Sequence, residues 1–243
     1  MKTPRFFLIA LALVISILNF GCEDGLFSDC RRSDGENVTL DFDLNEVSDF
    51  DFALSGEVIV SRGETQSITI EGPEDVVANI NTLVNNGFWR IDTRQCFRKY
   101  DPVTITMTIR DIENITLSGA GSVTVLDTFN TEISRVIIAG SGDITWRSIS
   151  EQIEAVISGS GNVELIGTSQ DLFGTVAGSG NIRAKDLPVS NAEVVIAGSG
   201  NAEVSVAESL DVRIAGSGSV FYYGDPSDIS QSITGSGSVI KRD

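Results

Sequence analysis

Acid–base or nucleophilic chemistry in this chain would have to come from carboxylates and thiols, because its 243 residues include no histidine. Histidine is the commonest general base near neutral pH and the commonest imidazole metal ligand, so its absence removes both roles. Candidate carboxylates exist, such as Asp143, Glu164 and Glu203. Glu164 and Glu203 fall in one outward column of the repeat described below and form a solvated face. Nothing marks two carboxylates held in different environments, which two-carboxylate catalysis requires. Cys22, Cys30 and Cys96 are the only thiols, and two thiolates without histidine make a poor metal site. We therefore expect no catalytic residue, no metal and no cofactor. A polysaccharide-acting β-helix enzyme is the least favoured reading; adjacent carboxylates in a cleft, one with a strongly raised pKa, would be its mark.

Charge narrows the partners. There are 34 acidic and 17 basic residues, a formal net charge of −17. Binding to phosphate backbones needs clustered Lys and Arg, so nucleic acid is not an expected partner.

The first residues carry a different signal. Lys2 and Arg5 precede the apolar run Phe6 to Leu18, the grammar of a secretory signal peptide and too short for a comfortable membrane span. The run ends in Leu18-Asn19-Phe20-Gly21-Cys22, which resembles the lipobox of bacterial lipoproteins, although Asn19 and Phe20 are not its usual residues. The resemblance implies cleavage before Cys22, lipid on Cys22 and membrane attachment through that lipid. The alternatives are an ordinary secretory signal with a chance cysteine, or an uncleaved anchor. Removing residues 1–21 takes away two basic residues and no acidic one, so 15 basic residues face 34 acidic ones and the net charge becomes −19. With Cys22 lipidated, Cys30 and Cys96 are an even pair in a compartment that permits disulfides, and a Cys30–Cys96 bridge is expected.

The elements that would position any site come from a repeat. Gly-x-Gly recurs with first glycines at 119, 140, 159, 178, 198, 216 and 235, so successive steps are 21, 19, 19, 20, 18 and 19. A fixed period of this size is the signature of a solenoid. Two residues before each first glycine stand Leu117, Ile138, Ile157, Val176, Ile196, Ile214 and Ile233; two after each second glycine stand Val123, Ile144, Val163, Ile182, Ala202, Val220 and Val239. Alternation around these apolar columns has the two-residue period of strands with one buried face. Each repeat is thus a strand, a corner, a second strand and a variable return. Gly140, Gly142, Gly159, Gly161, Gly178, Gly180, Gly198, Gly200, Gly216, Gly218, Gly235 and Gly237 are expected as structural corners, where glycine accepts positive φ and close backbone approach. A phosphate-binding loop would need a helix after the glycines, and strands follow instead. The column after the second glycine, Ser122, Asp143, Asn162, Asn181, Asn201, Ser219 and Ser238, holds one carboxylate. That is too few for repeated calcium sites, and a stacked hydrogen-bonded ladder is expected.

Upstream, residues 22–36 are polar and are expected as a tether. Strand patterns begin at Asn37, and Leu54 to Val60 looks like a degenerate first corner lacking its second glycine. Val76, Ile80, Leu83 and Val84 fall at helical spacing, predicting one short helix or helical turn after Pro73. The expected organisation is a lipoprotein signal peptide at 1–21, a tether at 22–36 and one all-β solenoid domain at 37–243, with coils close to 19 residues long.

The ITLSGAGSVTV segment, the repeated Gly-Ser-Gly-Asn/Asp blocks and the NNGFWRID strand resemble the auto-transporter adhesin, head GIN domain family of exported proteins and lipoproteins in Bacteroidetes-type bacteria. The resemblance covers about Asn37 to Asp243 and implies a right-handed β-helix-like solenoid. It supplies no catalytic motif. The expectation is a non-enzymatic envelope lipoprotein, placed at the outer membrane, that presents a solenoid face to a glycan or an envelope protein. The outward column Thr124, Thr145, Glu164, Arg183, Glu203, Phe221 and Ile240 varies while the inward ones do not. Phe221, Tyr223 and Arg183 are the candidate ligand contacts, whereas Trp146 and Tyr222 are expected to face inward. The other reading is a self-associating scaffold, with homo-oligomers formed through the C-terminal coil, which carries no evident cap.

Overall fold

A coil of this chain has one apolar face and cannot bury it alone, so successive coils stack. The computed structural model describes residues 30–243; the expected signal peptide, the lipidation at Cys22 and residues 22–29 of the tether lie outside them. In chain order the elements are β1 (Arg31–Arg32), β2 (Asn37–Asp41), β3 (Asp49–Phe52), β4 (Gly56–Arg62), β5 (Ser67–Pro73) and helix α1 (Glu74–Val77). Then come β6 (Val84–Asn85), β7 (Phe88–Ile91), β8 (Phe97–Lys99), β9 (Val103–Ile109), β10 (Asn114–Leu117), β11 (Ser122–Val125) and β12 (Phe129–Ile138). Four long strands, β13 (Asp143–Gly159), β14 (Asn162–Gly178), β15 (Asn181–Gly198) and β16 (Asn201–Gly216), each run from one corner to the next. The chain continues through β17 (Ser219–Tyr223), β18 (Asp228–Gly235) and β19 (Ser238–Lys241). The result is an all-β solenoid of about seven turns at about 19-residue spacing.

The strands pair in parallel and in the register set by the repeat. Leu117, Ile138, Ile157, Val176, Ile196, Ile214 and Ile233 lie one above the other. All but Ile233 are buried. The core between Phe50 and Trp146 takes the large side chains Phe50, Phe52, Trp89, Phe129 and Trp146, all fully buried. Each indole finds a partner, as a buried N–H must: Trp89 Nε1 donates to the Asn81 carbonyl at 2.7 Å, and Trp146 Nε1 to Ser148 Oγ at 3.0 Å.

The corners explain the glycines. Gly178 has φ 136°, and a Cβ placed on it would lie 2.2 Å from the Gly159 carbonyl oxygen of the preceding coil. That oxygen accepts from the amides of Ser179 at 2.9 Å and Gly180 at 3.2 Å. A Cβ on Gly180 would meet Gly161 O at 2.3 Å and the Ile157 side chain at 2.7 Å. Beside the corner runs the expected ladder: Asn162 Nδ2 donates to Asp143 Oδ1 at 2.7 Å, Asn181 to Asn162 at 2.8 Å and Asn201 to Asn181 at 3.0 Å, and Ser219 and Ser238 share a hydroxyl bond of 3.0 Å.

Stacking order departs from chain order at the N-terminal end. The coil of β3 and β4 pairs with β10 and β11 on one side and with β7 and β9 on the other, so residues 49–62 lie between two coils that follow them in sequence. The end of the stack is closed by antiparallel strands, β5 on β9 and β2 on β5, with β6 on β7 through the tight Asn86-Gly87 turn. The expected degenerate corner at Leu54 to Val60 holds its place: a Cβ on Gly119 would strike Leu54 O, and one on Gly121 would strike Gly56 O. The one short helix or helical turn expected after Pro73 is α1, a single turn of four residues; beyond it Ile80 makes a β-bridge to Thr93, Leu83 is exposed and Val84 is in a strand. One expectation needs correction. The segment 22–36 is not free tether throughout: from Cys30 it is fastened to the domain by β1–β8 pairing and by Ser33 Oγ donating to Asp75 Oδ1 at 2.5 Å.

Candidate binding face

Side chains of successive coils that point outward form columns along a rigid parallel sheet, so a site here is a set of neighbours spaced by the strand separation of about 4.8 Å. The expected outward column is present in full: Thr124, Thr145, Glu164, Arg183, Glu203, Phe221 and Ile240 pair in that order from coil to coil. Arg183 stands between Glu164 and Glu203, so these carboxylates are not adjacent. Asp143 is held in the asparagine ladder. Among the described residues no group of three or more His, Cys, Asp or Glu side chains converges as a metal site.

Arg183 and Phe221 do come together. With Asn181, Asn201 and Glu203 they line a shallow groove of about 260 Å³. One face of the Phe221 ring is covered by the Arg242 guanidinium, 4.7 Å from its centre, and the Tyr223 ring is covered by Lys185 Nζ at the same distance. Both aromatics are half-buried and already engaged by cations. Trp146 is fully buried and Tyr222 packs against the core, as their place in the inward column requires. Cys30 and Cys96 form a disulfide, which pins the start of the domain beside β8.

A second groove, of about 360 Å³, lies on the sheet before the corners. Its centre is Phe173, whose outward column reads Arg135, Glu154, Phe173, Glu193, Asp211 on successive coils. Phe173 is 38% exposed, and among the described residues no cation stacks on its ring. The carboxylates above and below it are each paired with arginine: Glu154 with Arg135 at 2.8 Å and Glu193 with Arg213 at 2.5 Å. The hydrogen bond that Arg213 donates to Glu193, then the charges of Asp211 and Glu193, hold the Arg213 guanidinium above its ordinary pKa. Thr175 and Val195 form one wall and Gln152 lies at the other. The groove therefore offers an apolar ring flanked by carboxylates that are each bonded to an arginine, Arg213 being shared between Glu193 and Asp211. Phe173 lies outside the columns nearest the glycines, on which the expected sites rest. Five residues before each first glycine the repeats read Asn114, Arg135, Glu154, Phe173, Glu193, Asp211 and Ser230, and the single aromatic in that polar column was the available signal.

Comparison with known proteins places this architecture. Residues 50–226 match the family described as "Putative auto-transporter adhesin, head GIN domain". Among solved structures, the chain is similar to a putative adhesin of Bacteroides fragilis at 25% identity, over 87% of this chain and all of that one, with a TM-score of 0.79. A putative lipid binding protein of Parabacteroides distasonis is similar at 24% identity, over 88% of this chain and 99% of that one, with a TM-score of 0.73. A putative adhesin of Parabacteroides merdae shares the fold at 15% identity, over 89% of this chain and all of that one, with a TM-score of 0.67. No curated protein matches.

Proposed function

The chain belongs to the head GIN domain family, and from that premise we propose that it is a non-catalytic recognition module of the cell envelope, exported, lipid-anchored through Cys22, and binding a glycan at the Phe173 groove. The observation that carries this reading is an exposed, unstacked aromatic ring between two arginine-paired carboxylates on a rigid sheet. A sugar presents C–H groups on one face and hydroxyls around its rim. The ring of Phe173 receives the first, and Glu154, Glu193, Gln152 and Thr175 can bond the second. Pockets that combine an apolar floor with a few fixed polar groups are the usual small-ligand sites. A parallel sheet holds these groups without ordering cost on binding. The adhesin description of the Bacteroides fragilis relative supports the same role.

The groove at Arg183 and Phe221 is the secondary contact, since its ring must first release Arg242. The test uses the chain from residue 23 onward, which contains the whole described structure, on a glycan array and in capture of envelope proteins. Phe173→Ala and a Phe221→Ala, Tyr223→Ala double variant run beside the wild type. Specific glycan binding lost in folded Phe173→Ala supports the reading. Binding lost only in the double variant moves the site to the other face, and capture of a protein with no glycan signal replaces the ligand class.

A further inference from the structure

The two ends of the stack are finished differently. At the N-terminal end β2, β5 and β6 cover the coil edges. At the other end β18 and β19 pair with β16 and β17 on one side, and among the described residues no strand covers their other edge. The expectation of an uncapped coil is only half right, because the inward columns change character here. Gln231 stands over Val212 and Lys241 over Tyr222, and Lys241 bonds Asp225. These polar groups let water reach the end of the core. Ile229 and Ile233 still stand over the buried Leu210 and Ile214 but are 41% and 38% exposed.

The exposed edge is symmetric in sequence. Ile229-Ser230-Gln231-Ser232-Ile233 reads the same in both directions about Gln231. We infer that β18 pairs antiparallel with β18 of a second copy of this chain, across a twofold axis through Gln231, joining two solenoids end to end. This register sets Ile229 against the partner's Ile233, Ser230 against the partner's Ser232 and Asp228 against the partner's Thr234. No two like charges meet, and opposite residues share a face as antiparallel pairing requires. The isoleucines of both copies then close one continuous core. Gln231 meets its own copy, and an amide, donor and acceptor at once, can bond to itself. Natural edges are usually protected by proline, lysine or bulges; β18 contains neither proline nor lysine, and the one lysine at this edge, Lys241, ends β19 and is bonded to Asp225. The end that would pair is close to neutral: residues 224–243 hold Lys241 and Arg242 against Asp225, Asp228 and Asp243, a net of −1.

The inference does not depend on the glycan reading, but it adds to it. The twofold runs through the same sheet that carries Phe173, three coils from β18 along the column Phe173, Glu193, Asp211, Ser230. Both Phe173 grooves of the dimer then lie on one side, seven strand spacings or roughly 34 Å apart. Two sites on one rigid body bind a multivalent surface with avidity.

Sedimentation equilibrium of the chain from residue 23 onward tests the pairing. The wild type should show a monomer–dimer equilibrium. Gln231→Lys and Gln231→Glu, each placing like charges on the axis, should each weaken it by at least about tenfold. Mixing the two variants should restore dimers, because only a twofold through residue 231 sets one against the other. In an otherwise unchanged chain, Gln231→Cys should form a disulfide-linked dimer under mild oxidation. A wild type that stays monomeric at all concentrations overturns the proposal, as do dimers indifferent to both charge variants and charge variants that do not recover on mixing.

Discussion

Replacing Gly178 by alanine tests the corner as a physical device. Gly178 holds φ 136°, and the added methyl would lie 2.2 Å from Gly159 O, with the Gly159 carbonyl carbon at 3.1 Å and its Cα at 3.3 Å. These are backbone atoms and cannot rotate aside. Moving the coil away would stretch the bonds that the Ser179 and Gly180 amides donate to that same oxygen. The disfavoured backbone costs about 1–3 kcal/mol and the overpacking about 1–3 kcal/mol. Together they predict a loss of roughly 2–6 kcal/mol, which for a domain of this size lowers Tm by about 5–20 °C. Ser179→Ala in the same corner is the control, because Ser179 is exposed and its shift should stay within about 0.5 kcal/mol. The assay is urea and thermal unfolding followed by far-ultraviolet circular dichroism, with midpoints compared directly because stacked repeats need not unfold as one unit. A Gly178→Ala midpoint within the control's shift would refute the argument from close approach.

Three further perturbations separate the other sources of stability. Asn181→Ala removes a donor to Asn162 and the acceptor for the Asn201 side chain and amide, and should cost about 1–3 kcal/mol in urea unfolding. Ile157→Ala, at a fully buried position of the inward column, should cost about 2–5 kcal/mol by the same measurement. Replacing both Cys30 and Cys96 by serine removes a cross-link between residues separated by 66 positions. It should cost about 2–4 kcal/mol, with amide exchange rising first in β1 and β8.

The coils were legible because the chain states the same constraint seven times. A single Ile-x-Gly could be an accident, but Leu117 to Ile233 at one spacing fixes period, inward face and register together. The asparagine ladder followed from the same spacing, since residues one coil apart must touch. What stayed hidden occurs once. The insertion of residues 49–62 between two later coils depends on β5 turning back antiparallel onto β9, a long-range pairing with no repeated mark. Val76, Ile80 and Val84 have helical spacing over too short a stretch for periodicity to decide between helix and strand. The face carrying Phe221 and Tyr223 was readable, but the cations on their rings were not. Lys185 and Arg242 reach them from other parts of the stack.

The central claim is that an envelope-directed solenoid binds its ligand through Phe173. Its most direct test is calorimetric titration of the strongest array ligand into wild type, Phe173→Ala and Phe221→Ala, after equal unfolding midpoints have shown all three folded. Truncating an aromatic residue at the centre of a binding site typically costs about 2 kcal/mol or more, so Phe173→Ala should weaken binding by at least about thirtyfold while Phe221→Ala stays close to wild type. Equal affinity in Phe173→Ala and wild type would contradict the account.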